Sequence, residues 1–282
     1  MIEIAIAATD ALRDQLIALL GQLGVEGFWE DEDLLKCYVP EGRWSPALQE
    51  ELRATVAMIV RSSEHTVPEM RVRSLPDRNW NEEWEKTIQP LHVTPRIVIT
   101  PSWHDYQPAA GEIVLTIDPK MSFGTGYHES TRLMLRLMEQ HLRLGCTVLD
   151  IGTGTGVLAI AALRLGAASA IAVDIDEWSY ANAMENAHRN GVNDRLTLLH
   201  GDITASPAIH HDLVLANIQR SVLIPMLPAM CSRLTGGGTL LLSGLLGADR
   251  EPMIAALHEA GLTLREEAQE HEWIALAADR GS

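Results

Sequence analysis

The run Val148-Leu149-Asp150-Ile151-Gly152-Thr153-Gly154-Thr155-Gly156-Val157-Leu158 has the residue types of a strand that turns sharply into a helix over a ligand. Glycine is needed where the backbone must bend tightly and let a ligand approach the main chain. The start of the following helix then presents unpaired N–H groups. Dinucleotide folds use such a turn too. Asp150, two residues before the first glycine, shifts the expectation: a carboxylate there opposes a phosphate and suits a ligand bearing an ammonium. S-adenosyl-L-methionine carries an ammonium, a carboxylate and a sulfonium, and no phosphate. Gly152 and Gly154 are expected at such a cofactor.

Four further segments lie where chemistry is expected. Val173-Asp174-Ile175-Asp176 ends the next strand pattern, with Asp174 twenty-two residues after Gly152, so Asp174 can accept two hydrogen bonds from a ribose diol. Asp176 is the alternative partner, or the cap of the next helix. Ile175 is expected to pack on the adenine face or to be simple strand-end burial. Gly201-Asp202 follows the third strand; Asp202 accepts from the adenine amino group or belongs to a turn. Leu215-Ala216-Asn217-Ile218 ends the fourth, beyond whose carboxyl end ligands sit. Asn217 either accepts from an incoming amine or satisfies strand-end backbone groups. Ser122-Phe123-Gly124-Thr125-Gly126-Tyr127-His128-Glu129-Ser130-Thr131 holds two glycines before a helix that Thr131 starts, and reads as a mobile flap or as a cap and turn.

These residues need an alternating frame to hold them. Thr147 to Asp150, Ala170 to Asp174, Leu196 to His200, Leu213 to Asn217 and Thr239 to Ser243 are short apolar runs separated by helical stretches. That pattern implies a parallel sheet covered on both faces. Thr263 to Glu267 and Glu272 to Ala277 are too close for a crossover helix and must be antiparallel, an ending expected of a Rossmann-like methyltransferase and unusual for a nicotinamide-binding domain. Arg96 to Thr100 and Glu112 to Asp118 are two shorter strand patterns. Residues 1–75 read as βαββαβ: Ile2-Ile4-Ile6, a helix from Asp10, strands over Gly24 to Trp29 and Leu34 to Val39, a helix opened by Ser45-Pro46, and a strand over Met70 to Leu75. This is the order of a ferredoxin-like sandwich. Residues 76–91, with Trp80 and Trp84, read as a linker helix, leaving 92–282 for the α/β domain.

Composition narrows the partners. Asp plus Glu number 38 against 22 Lys plus Arg, a formal net charge of −16. Such a surface disfavours nucleic acid and attracts basic partners. Cys37, Cys146 and Cys231 are far apart and form no C-x-x-C, which suits a reducing compartment. The first residues lack a signal peptide's basic region, and Val157 to Val173 is interrupted by Arg164 and Gly166, so a cytoplasmic protein without membrane contact is expected. His210-His211 have poor spacing for a metal, and none is expected. His128 is a candidate proton shuttle or an exposed loop residue. No paired carboxylates or Ser/His/Asp set stand where a base would, so catalysis by positioning is expected, with Asn217 and backbone carbonyls aiming an amine lone pair.

The ordered set Phe-Gly-Thr-Gly-x-His (Phe123–His128), Thr131, Asp-x-Gly-x-Gly-x-Gly (Asp150–Gly156), Asp174-Ile175-Asp176 and Ala216-Asn217-Ile218 resembles the ribosomal protein L11 methyltransferases, and Asn79-Trp80-Asn81-Glu82-Glu83-Trp84 resembles that family's linker. The resemblance spans the whole chain. It implies transfer of methyl groups from S-adenosyl-L-methionine to Lys side chains and the N-terminal amine of ribosomal protein L11 by a monomer. It also implies that the front domain binds L11 and the linker lets the catalytic domain reorient. Cofactor contacts fall on Thr131, Gly152, Asp174 and Asn217; Phe123, Gly154, Ile175 and Asp202 complete the expected site. Ser130-Thr131 stands where the family has Thr-Thr, which keeps a hydroxyl. Methylation of another protein lysine or a small amine is the alternative.

Overall fold

The structure, a computed structural model, describes residues 2–8, 10–23, 25–31, 34–61, 70–74, 88–118, 124 and 126–281. The chain divides into two compact units, residues 1–84 and 85–282. Among the described residues no helix is long and apolar enough to cross a membrane.

The first unit runs β1 (Ile2–Ala7), α1 (Asp10–Gln22), β2 (Glu26–Asp31), β3 (Leu34–Val39), α2 (Pro46–Arg61) and β4 (Met70–Ser74). Its sheet has the order β2-β3-β1-β4, with every neighbouring pair antiparallel. Ile4 and Ile6 alternate into a core that they share with Leu16, Leu20, Leu35 and Leu52. The Ser45 hydroxyl accepts from the Leu48 N–H at 3.2 Å and so caps α2. β2 begins and ends two residues later than the apolar pattern suggests, because its ladder with β3 continues into the acidic run, Asp31 opposite Leu34. Of the linker helix expected over 76–91, residues 76–87 lie outside the described residues, Ile88–Pro90 carry no regular structure, and Leu91 opens a strand.

The second unit opens with a small sheet: β5 (Leu91–His92), β6 (Ile97–Thr100) and β7 (Ile113–Thr116). The main sheet and its helices follow in chain order as α3 (Glu129–His141), β8 (Thr147–Ile151), α4 (Val157–Leu165), β9 (Ser169–Asp174), α5 (Glu177–Arg189), β10 (Leu196–His200), β11 (His211–Asn217), α6 (Arg220–Cys231), β12 (Leu234–Leu246), α7 (Arg250–Glu259), β13 (Leu262–Glu270) and β14 (Trp273–Arg280). The seven strands take the order β10-β9-β8-β11-β12-β14-β13. β8 to β12 are mutually parallel, and β14 pairs antiparallel with both β12 and β13.

Alternation explains why the central strands β8, β11 and β12 are largely apolar. Val148, Leu215, Leu241 and Ala275 pack on one face with Met134, Leu137 and Ile160 of α3 and α4. Leu149, Val214, Leu242 and Leu276 pack on the other with Leu223, Leu227 and Met253 of α6 and α7. Each face is covered, so both sets of side chains must be hydrophobic. The small sheet is tied to the main one by helix side chains. Asn190, just past α5, accepts from the Thr116 N–H at 2.9 Å and donates to the Thr116 carbonyl at 2.7 Å, as a neighbouring strand would.

Candidate active site

The glycine turn after β8 is shaped from within. Gly152, Gly154 and Gly156 have φ of +71°, +55° and +82°, values that L side chains rarely adopt. A Cβ on Gly152 would lie 2.7 Å from Ile218 Cγ2. The amides of Gly152, Thr153, Gly154 and Gly156 are already occupied. Gly152 and Thr153 donate to the Val173 carbonyl at 2.9 and 3.1 Å, Gly156 donates to the Thr153 carbonyl at 2.9 Å, and Gly154 donates to Asp174 Oδ2 at 2.8 Å. A pyrophosphate cradle needs such N–H groups free. Here a carboxylate holds the central one.

The cavity over this turn measures about 630 Å³, within the usual range for a small-molecule site. Of the residues expected at a cofactor, Gly152, Gly154, Asp174, Ile175, Asp202 and Asn217 line it. Asp174, at the end of β9, accepts from Gly154 through Oδ2 and from the Asp176 N–H at 3.0 Å through Oδ1, which fixes its orientation. Asp176 is the cap of α5 and accepts from the Trp178 and Ser179 amides. Ile175 is 75% exposed on the rim rather than buried at a strand end. Asp202 opens a single 3-10 turn, its Oδ1 accepting from the Thr204 N–H at 2.8 Å. The Thr204 hydroxyl and amide hold its carboxyl below the ordinary range.

Thr131 is fully buried and does not line the cavity. It lies in the first turn of α3, which begins at Glu129 with His128 as its cap. Its Oγ1 accepts from Asn217 Nδ2 at 3.3 Å. Asn217 Oδ1 is buried with no partner among the described residues, an acceptor at the wall of a cavity with no donor of its own. Phe123 lies outside the described residues.

Asp150 is not the guard of the cavity. Strand alternation puts it on the same face as Val148, beneath the turn and toward α4. It is fully buried. Its Oδ2 accepts from Thr153 Oγ1 at 2.6 Å and the Ala159 N–H at 3.3 Å. The carboxylates that do line the cavity are Asp174 and Asp202. Burial pushes the Asp150 carboxyl up to about 7, against the hydrogen bond from Thr153. A carboxyl raised by folding stabilises the folded state fully below its unfolded value near 3.8, and this is lost as pH rises through about 7. Thermal unfolding of the ligand-free protein should therefore show stability falling from pH 4 to 8 relative to Asp150→Asn. Parallel pH profiles for the two proteins would refute this. The imidazole of His211, lowered chiefly by burial, acts in the opposite sense and is common to both.

Residues that local patterns did not single out complete the walls. Gly244, at a bulge in β12, has φ +79°, and a Cβ there would lie 2.6 Å from the Ile218 carbonyl oxygen. It lets the chain after Asn217 lie against β12; a glycine inside an apolar run is the signal for such an approach. Trp273 reaches the cavity for a tertiary reason. Arg132 and Arg136 of α3 both ion-pair with Glu270, the latter at 2.8 Å, so the β13–β14 turn is gripped against the start of α3. Trp273 then stands edge-on to His128, ring centroids 4.4 Å apart. His128 Nδ1 accepts from the Ser130 N–H at 3.2 Å. The Ser130 hydroxyl lies 2.8 Å from the same nitrogen. Glu129, Glu270 and His271 cluster nearby, but Arg132 ion-pairs with both carboxylates.

A mainly parallel sheet with the antiparallel β14 set between β12 and β13, and a cavity at the carboxyl ends of β8, β9 and β11, defines a Rossmann-like methyltransferase. The family model described as ribosomal protein L11 methyltransferase matches residues 2–281. The ribosomal protein L11 methyltransferase of Chlorobaculum tepidum is 39% identical over 97% of this chain and 94% of its own. That of Porphyromonas gingivalis is 38% identical over 93% and 89%. The crystal structure of ribosomal protein L11 methylase from Lactobacillus delbrueckii subsp. bulgaricus superposes with a TM-score of 0.65 at 32% identity, covering 69% of this chain and all of that one. The chain belongs to the ribosomal protein L11 methyltransferase family.

Proposed function

We propose that this enzyme transfers methyl groups from S-adenosyl-L-methionine to amino groups of ribosomal protein L11, namely Lys side chains and the N-terminal amine. The observation that carries the substrate is the family match over residues 2–281. The site residues suit the cofactor: side-chain-free Gly152 and Gly154 under it, Asp174 at the ribose, Ile175 and Asp202 beside the adenine, and a central glycine amide held by a carboxylate. When bound, the cofactor supplies an electrophilic methyl group on a sulfonium.

The chain's own residues prepare the amine. A free lysine amine has a pKa of ~10.4 and is almost wholly an ammonium at neutral pH. Ile218, Val222, Met226 and Trp273 line the cavity, and apolar surroundings favour the neutral form. The proton leaves to solvent as the amine seats. Asn217 Oδ1 then accepts an N–H of the neutral amine and turns its lone pair toward the methyl group. His128, its Nδ1 engaged by the Ser130 amide and hydroxyl, forms part of the cavity wall. The first unit, residues 2–74, is the surface assigned to L11 recognition.

Intact-mass analysis of L11 after incubation with enzyme and cofactor tests the reading. L11 should gain mass in one-methyl increments, on Lys and the N-terminal amine. An unmodified L11 alongside methylated small amines would overturn the substrate assignment and leave the cofactor site standing.

A further inference from the structure

Thr155 takes no part in the cavity wall, yet it is fully buried and sits in the glycine turn. Its hydroxyl donates to the Gly124 carbonyl at 2.6 Å. Its own carbonyl accepts from Asn186 Nδ2 at 3.0 Å, and that side chain is fully buried on α5. Gly124 is shaped for this contact: its φ is +96°, and a Cβ on it would lie 3.1 Å from Thr155 Oγ1. Gly126 is seated as closely on the other side, where a Cβ would come within 2.2 Å of Ile99 Cδ1. Four residues beyond Gly124 comes His128, the cap of α3, and then Ser130; both line the cavity.

From this geometry we propose that Thr155 is a positioning residue that sets cofactor affinity without touching the cofactor. The inference rests on the reading of the cavity as an S-adenosyl-L-methionine site. Asn186 fixes the backbone of Thr155 from α5, and the Thr155 hydroxyl fixes Gly124. The floor of the cavity and the wall that begins at His128 are thereby held in one register. The two threonines of the turn divide the work: Thr153 ties it downward to Asp150, and Thr155 ties it sideways to the start of α3. Loss of the hydroxyl leaves the Gly124 carbonyl without its donor and frees this wall to drift from the glycine turn.

The test compares Thr155→Val, which keeps the shape and removes the donor, with Thr155→Ser, which keeps the donor. Calorimetric titration with S-adenosylhomocysteine comes first on the native protein; an absence of binding there overturns the cofactor reading and this proposal with it. With native binding in hand, Thr155→Val should weaken it about tenfold, the loss of one buried hydrogen bond. Thr155→Ser should restore it to within about twofold, and the KM for L11 should stay at the native value in both. Gly124→Ala attacks the same contact from the other side and should weaken S-adenosylhomocysteine as Thr155→Val does. Native affinity in Thr155→Val, or equal weakening in Thr155→Ser, overturns the proposal. So does a Thr155→Val defect that falls on the KM for L11.

Discussion

Asn217→Ala should lower the single-turnover methylation rate about a hundredfold while the protein stays as stable as before, within about 1 kcal/mol. The rate effect follows from position: an attacking amine held off line forfeits the advantage of a near-attack geometry. The stability effect follows from an imbalance already present. Asn217 Oδ1 is a buried acceptor with no donor among the described residues, and such a group costs about 1–3 kcal/mol. Truncation removes that penalty together with the 3.3 Å hydrogen bond to Thr131. Rapid-quench rates and a urea titration on the same preparation separate the two effects. A native single-turnover rate would remove Asn217 from the chemistry, and a large loss of stability would make it a structural residue.

Asp174→Ala is expected to raise the dissociation constant for S-adenosylhomocysteine about a hundredfold or more. The carboxylate already accepts from the Gly154 and Asp176 amides, so it stands oriented before any ligand arrives. Hydrogen bonds to a charged group contribute about 1.5–3 kcal/mol each, and two to a ribose diol convert to at least two powers of ten. The substitution also frees the Gly154 N–H and loosens the turn. Titration calorimetry reads the loss directly. Native affinity would mean that the ribose lies elsewhere.

The centre of the main sheet is legible in the sequence because β8, β11 and β12 are buried on both faces, so the runs at Leu149, Val214 and Leu241 are mostly apolar. Asn217 is legible from its place at a strand's carboxyl end. Its tie to Thr131 is not, because that partner lies 86 residues away and no local pattern reports it. Trp273 was missed for the same reason: its place depends on Arg132 and Arg136 gripping Glu270. Asp150 was assigned to the wrong side of the turn, although strand alternation with the buried Val148 carried the needed information. β5 is only two residues long, too short to show any period.

β14 comes later in the chain than every strand it touches, yet it lies in the interior of the sheet. During synthesis, β12 emerges with an unpaired edge of largely apolar residues, and such edges invite misassociation. The edge is closed only when β14 inserts between β12 and β13. The same event delivers Trp273, so the chain gains this part of its pocket wall at the step that covers the β12 edge. Folding quality and catalytic competence are thus secured by a single late insertion.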